Sequence, residues 1–203
     1  MLLNLLLEQP WLFLIVLLVI VTALSFHEFA HAYVGYRLGD TTAQKLGRLT
    51  LNPMAHLDWL GLLFLVTVGF GWGKPVPFNP YNLKFQKWGP VMVALAGPAS
   101  NLLLALVASV VYWFIRPLGL GSDNGLILFL IFSVIINLGL MFFNLIPLPP
   151  LDGSKLLGVV LDKPQHAALR YRLEVQGMWL LVIIIALDAI FDIGFFSWLF
   201  SAV

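Results

Sequence analysis

The chain has 203 residues, 61% of them hydrophobic and 10% charged, with a net charge of +1 and a mean hydropathy of +0.96. No soluble domain of this size can hide that much apolar surface, so composition excludes a soluble protein, secreted soluble enzymes included, and makes lipid the solvent. Cysteine is absent, so disulfides and thiolate ligands are excluded and any metal must be held by nitrogen and oxygen atoms.

Met1 to Gln9 lacks a basic n-region and carries Glu8, so the first hydrophobic run is expected to be retained rather than cleaved. Pro10 suits a first helical position, and the apolar run from Trp11 to Ser25 continues through Phe26-His27-Glu28-Phe29-Ala30-His31 to about Gly35. On a helix, residues four apart share a face, so His27 and His31 can aim both imidazoles at one ion while Glu28 leans in beside it. Neutral imidazole suits Zn²⁺, and two histidines leave room for a third ligand and a water whose proton a nearby carboxylate can take. The HExxH pattern alone also arises by chance. Against chance, each ionisable group at membrane depth costs about 2.5–3.5 kcal/mol, so three so close together ask for a compensating partner such as a metal. At 1.5 Å per residue His27 lies roughly 24 Å from Trp11, inside a ~30 Å hydrocarbon core and near its far side.

Arg37, Gly39, Asp40, Lys45, Gly47, Arg48 and Asn52-Pro53 form a polar, turn-rich stretch expected outside the lipid. The apolar stretch 59–72 is short for a span and suits a re-entrant or buried segment. It leads into Gly73-Lys74-Pro75-Val76-Pro77-Phe78-Asn79. Prolines two apart fall on one edge of an extended strand and leave the other edge able to pair; a rigid linker fits the same residues. Pro90 to Ile115 is the next full span, where Gly97-Pro98 is expected to kink the helix and Asn101 to act as helix glue. A third span covers Leu126 to about Ile146 and closes in Asn144-Leu145-Ile146-Pro147-Leu148-Pro149-Pro150-Leu151-Asp152-Gly153, whose prolines forbid helix and predict an extended run buried by protein. Ser154 to Arg172 is polar and basic. Leu173 to about Asp192 is a last span with Asp188 and Asp192 as interfacial carboxylates at its far end, followed by an aromatic interfacial tail from Phe195 to Val203. The expected fold is therefore an all-α polytopic membrane protein, a single domain over 1–203. It has about four full transmembrane helices, one re-entrant or short hydrophobic segment, and a small extended or β element at about 74–79.

Charge bias supports that topology. If 59–72 dips in and returns, Arg37, Lys45, Arg48, Lys74, Lys84, Lys87, Lys155, Lys163, Arg170 and Arg172 share one side and only Arg116 lies on the other. The positive-inside rule makes that side cytoplasmic. The first and third spans then end on the same side, so His27, His31 and Asp152 reach similar depth. Asp152 is the best-placed third ligand, ahead of His56, Asp58 and His166, and Gly153 after it allows close backbone approach.

With these residues in hand, the chain resembles the site-2 protease family of intramembrane zinc metalloproteases, in its short prokaryotic form without a PDZ domain. The resemblance rests on His27-Glu28-x-x-His31, Ala96-Gly97-Pro98-x-x-Asn101, Asn144-x-x-Pro147 continuing to Asp152-Gly153, and Gly71-Trp72-Gly73-Lys74-Pro75-Val76-Pro77. It covers roughly residues 20 to 155. It implies Zn²⁺ on His27, His31 and Asp152, with Glu28 as general base and Asn144 as stabiliser of the oxyanion. It implies proteolysis within or near the transmembrane helix of a membrane-protein substrate, in a prokaryotic inner or plasma membrane, with the site near the cytoplasmic side and no nucleic-acid partner. A non-proteolytic membrane metal carrier using the same ligands is the alternative. Against it, a permease needs a path to both faces, whereas the polar residues cluster near one.

Overall fold

The computed structural model describes residues 2–69 and 71–191. Among these residues eight α-helices follow one another: α1 (Leu2–Glu8), α2 (Pro10–Arg37), α3 (Thr42–Lys45), α4 (Trp59–Val68), α5 (Gly89–Ile115), α6 (Gly125–Leu145), α7 (Ser154–Val160) and α8 (Ala167–Phe191). Of these, α2, α5 with the turn that extends it to Leu118, and α6 are long and apolar enough to cross a membrane. They pack on one another as a three-helix core. Asp192 and the tail from Phe195 onward lie outside the described residues.

The three long helices begin where the sequence supplies an opening signal. Pro10 and Pro90 sit in the first turn of α2 and α5, where a missing N–H costs nothing, and Asn124 caps α6 by accepting the Leu126 N–H at 3.0 Å. Helix α5 continues through Pro98. Small residues line the contact between α2 and α5: Ala23, Ala32, Ala94 and Ala105 are all buried, which lets the two backbones approach closely. Lipid-facing positions such as Leu14, Leu18, Leu103 and Leu106 are exposed in the isolated chain, as expected where lipid replaces water.

Three local expectations change. First, the residues before Pro10, for which no element was expected, form the short helix α1, which packs on α4; its five leucines supply apolar surface, and α4 meets part of it. Second, the 74–79 segment joins no strand. Among the described residues there is no sheet, and a single antiparallel bridge pairs Leu57 with Gly73. Pro75 and Pro77 withhold donors from one edge, and on the other the Lys74 N–H is taken by the His56 carbonyl and the Val76 N–H by the Glu28 side chain. Third, the stretch after α6 is a succession of turns rather than an extended run. The Leu148 N–H reaches Ile146 O, Leu151 N–H reaches Leu148 O, and Ser154 N–H reaches Leu151 O, so the non-proline amides between the prolines are free to close tight turns.

Helix α4 is ten residues long, opens at Asp58, whose carboxylate accepts the Gly61 N–H at 2.8 Å, and is followed by chain that runs back across it. The return is a backbone-to-backbone contact: a Cβ at Gly61 would overlap the Trp72 carbonyl, which leaves room for hydrogen only. Replacing Gly61 with alanine is expected to cost on the order of 1–3 kcal/mol by overpacking a backbone that cannot retreat. Thermal unfolding in detergent against a control substitution at the exposed Leu63 checks it; an unchanged midpoint for G61A would remove this contact from the account.

Candidate metal centre

The site is assembled from the far half of α2, the first half of α5 and the turn after α6. His27 and His31 are one helical turn apart on the buried face of α2, with 5% and 9% of their surface exposed. Their Nε2 atoms lie 3.0 Å apart, and Asp152 Oδ2 lies 3.2 Å from the first and 3.3 Å from the second. Among the described residues, these three are the group of potential metal ligands that the structure gathers.

The hydrogen bonds behind the rings decide what the facing atoms are. His31 Nδ1 lies 2.7 Å from the Val93 carbonyl, which can only accept, so this nitrogen carries the proton and Nε2 is left with a lone pair. His27 Nδ1 lies 2.6 Å from Asn101 Oδ1. Asn101 is oriented by its own donors, which reach Asn137 Oδ1 at 2.8 Å and Ala23 O at 3.4 Å; Asn137 in turn donates to Ser133 O at 2.8 Å. Its oxygen therefore faces His27 and accepts, and His27 Nε2 also presents a lone pair. Two lone pairs and a carboxylate oxygen thus meet at about 3 Å. Asp152 Oδ2 is buried without a hydrogen-bond donor. Only a cation satisfies three such acceptors together, and a two-nitrogen, one-oxygen set suits Zn²⁺. Gly97 completes the cradle: a Cβ there would stand 2.5 Å from both Nε2 atoms.

Asp152 owes its position to the turns that follow α6. The Gly153 N–H donates to Asn144 O at 2.7 Å, and the Lys155 N–H to Asp152 O at 3.0 Å, so the carboxylate sits at a pinned corner. Asn144 itself turns its amide back to Leu140 O at 2.9 Å. In this structure, then, its main chain holds the corner and its side chain bonds within its own helix.

Glu28 is buried beside the histidines, and its Oε2 accepts the Val76 N–H at 3.0 Å. The other candidates fall elsewhere. His56 is fully buried, with Nε2 donating to Thr50 O at 2.7 Å; Asp58 is the cap of α4; His166 is a surface residue beside Gln165. Sequence reasoning missed Asn137, Asp40 and Arg48 as parts of the site's support, and named Gly97 only at a helix kink and within the Ala96-Gly97-Pro98-x-x-Asn101 pattern. Two asparagines in apolar helices were a readable signal, because amides at membrane depth need partners. Nothing local marks Asp40 and Arg48, which look like ordinary loop charges.

Asp40 is 1% exposed and ties the loop after α2 to the segment beyond Phe78. It accepts from Thr42 Oγ1 at 2.6 Å, Thr42 N at 3.1 Å, Asn82 Nδ2 at 2.9 Å and Asn79 N at 2.7 Å. Burial opposes its charge, but the donors from Thr42, Asn82 and Asn79 outweigh it and hold the carboxyl below its ordinary value.

This arrangement, an all-helical scaffold of membrane type around two imidazoles and a carboxylate, defines a membrane protein with a candidate metal-hydrolase centre. Comparison with known proteins narrows the class. The profile of Peptidase family M50, the site-2 proteases, matches residues 114–187. YwhC of Bacillus subtilis is 43% identical over 142 residues, covering 68% of this chain and 65% of its own length. Rip2 of Mycolicibacterium smegmatis is 32% identical over 190 residues, covering 88% and 70%. MJ0611 of Methanocaldococcus jannaschii is 32% identical over 147 residues, covering 71% and 70%. All three carry zinc-metalloprotease names. No solved structure matches the chain significantly. The chain belongs to peptidase family M50.

Two outcomes follow from this geometry. Asn101→Leu removes the acceptor behind His27 and is expected to weaken zinc binding by about 10- to 100-fold, read by competition with a chromogenic chelator; unchanged affinity would show that the amide does not orient the ring. Asp40, held below its ordinary carboxyl value, stabilises the fold fully above about pH 4, and that contribution is lost as pH falls through its folded value. The stability gap between wild type and Asp40→Asn should therefore close on acidification, and a gap independent of pH between about 6 and 3 would contradict the ionised form.

Proposed function

We propose that the protein is an intramembrane zinc metalloprotease that hydrolyses peptide bonds within or near the transmembrane segments of other membrane proteins. The observation that supports this most directly is the convergence of His27 Nε2, His31 Nε2 and Asp152 Oδ2 with a glutamate next in sequence to the first of them. His27, His31 and Asp152 would hold the ion, which when bound supplies Lewis-acid polarisation and makes a water molecule acidic near neutral pH.

The remaining chemistry belongs to the chain. Glu28 accepts a proton from the attacking water as its oxygen bonds to the scissile carbonyl carbon. As the C–N bond breaks, Glu28 returns the proton to the departing nitrogen, leaving a carboxylate and an amine. The Val76 amide holds one oxygen of Glu28, so the base keeps one orientation throughout. Asn144 serves the oxyanion in this reading only after its side chain leaves Leu140 O and turns toward the corner at Asp152.

The same proposal takes α8 as a fourth span, the chain as one catalytic domain, and the basic loops as cytoplasmic. Lys87 meets Asp162 at 3.2 Å, so the start of α5 and the loop between α7 and α8 lie together at one end, in line with the charge bias. Water would reach the site from that end. A helical substrate keeps its carbonyls in i to i+4 bonds and must unwind before Glu28 can serve it. The edge of 74–79 that the prolines leave able to pair, the place where an unwound strand could be added, is partly engaged: Lys74 N–H bonds His56 O at 2.7 Å and Val76 N–H bonds Glu28. Strand addition there requires those bonds to be exchanged.

The test is cleavage of a single-span substrate by the purified protein in detergent, with zinc content measured on the same sample. Wild type should cleave and lose activity to a chelator, and Glu28→Gln should retain zinc with turnover reduced at least about 10³-fold. Zinc bound without cleavage across a panel of such substrates would favour a metal carrier and end the protease reading.

A further inference from the structure

Among the described residues, Arg48 is the one lysine or arginine that is buried, at 6% exposure. It lies in the loop after α3, outside the long helices, and burying a guanidinium there needs compensation. Among the described residues Arg48 has no direct ion-pair partner. Its Nη2 donates to the Lys74 carbonyl and, at 3.2 Å, to the Pro75 carbonyl. Burial pushes the guanidinium below its ordinary value, and the carboxylate of Glu28 acts against that loss. Arginine nevertheless stays cationic in such a setting.

What lies between the two charges is a single peptide group. The C=O of Pro75 points at Arg48 and the N–H of Val76 points at Glu28 Oε2, and these are the two ends of the same amide. In a trans peptide the C=O and N–H are antiparallel, so its dipole of about 3.5 D is aligned with a cation at the oxygen and an anion at the hydrogen. Each contact polarises the other in a medium of low dielectric. Pro75 also restricts the backbone just before this amide. The Lys74 N–H bond to His56 O and the Asn79 N–H bond to Asp40 Oδ2 pin the segment on either side.

We infer that Arg48 is a positioning residue for Glu28, acting through the Pro75–Val76 peptide: the guanidinium fixes and polarises that amide, and the amide fixes one carboxylate oxygen. Arg48 touches neither ligand nor reacting atom in this arrangement. The inference rests on the protease reading only for the catalytic consequence of orienting Glu28; the contact itself can be measured without turnover.

Arg48→Met, Arg48→Lys and Val76→Pro, made in the full chain and purified with zinc, separate the possibilities. Val76→Pro deletes the N–H while leaving both charges in place. Arg48→Met and Val76→Pro should each lower kcat by about 10- to 100-fold, the range for one charge-assisted hydrogen bond, with KM within about threefold and zinc content unchanged. Their double variant should lose little more than either alone, because both break one chain of contacts. Arg48→Lys should recover part of the loss. Amide hydrogen exchange at Val76 should speed up at least about tenfold in Arg48→Met and equally in Glu28→Ala, whether or not a cleavable substrate is at hand. Wild-type kcat with unaltered Val76 exchange in Arg48→Met, or fully additive losses in the double variant, would overturn the inference. If Arg48→Met does not fold, Val76 exchange in Arg48→Lys and kcat in Val76→Pro decide it. Absence of cleavage by wild type, with Val76 exchange still governed by Arg48 and Glu28, would instead remove the protease reading and keep the contact.

Discussion

Two imidazole nitrogens and a carboxylate oxygen meet within about 3.3 Å of one another, and in the neutral rings whose Nδ1 protons go to Val93 O and Asn101 Oδ1 all three face one another with lone pairs. In a low-dielectric interior such a meeting is repulsive unless a cation occupies it, so the arrangement is maintained from behind. Each ring spends its Nδ1 proton on an acceptor belonging to α5, one a main-chain carbonyl and one the amide of Asn101. Helix α6 supports the same ring at one remove through Asn137, and its end supplies the corner that carries Asp152. The three long helices are thus bound to one another by the site as well as by apolar packing.

The bundle and the loops divide the work. The bundle sets depth, ring orientation and ligand separation, for which rigid helices in close contact are suited. The loops between α2 and α5 handle charge. Asp40 and Arg48 are both buried there, and each spends its charge on main-chain atoms of the segment that passes beside Glu28. That segment has prolines at 75 and 77 and joins no sheet, so its backbone is satisfied largely by side chains, with Lys74 N–H on the His56 carbonyl. A stretch held in this manner can be precise without being regular, which suits a position next to the carboxylate of Glu28.

Membership of peptidase family M50 explains why such costly groups sit in an apolar protein, and the structure shows how their cost is met. Asn144 illustrates the limit of transferring roles by motif. Its place in the sequence matches the pattern of the family, yet here its carbonyl pins Gly153 and its amide bonds within α6. Its contribution to holding Asp152 is visible; a contribution to the oxyanion requires the side chain to turn.

Composition and pattern alone determined the class of solvent, the extents of α2, α5 and α6, the shared face of His27 and His31, and the candidacy of Asp152. These follow from hydropathy, from the helical period and from where prolines can stand, all of which act locally. The tertiary structure decided which protons the histidines carry, that asparagines from two other helices stand behind one ring, that the chain after α6 turns rather than extends, and that two loop charges are buried beside the site. Those outcomes depend on groups far apart in sequence finding donors and acceptors in space. Arg48 and Pro75 are 27 residues apart, and His27 and Asn101 are 74 apart. No local period or turn rule reaches across such distances.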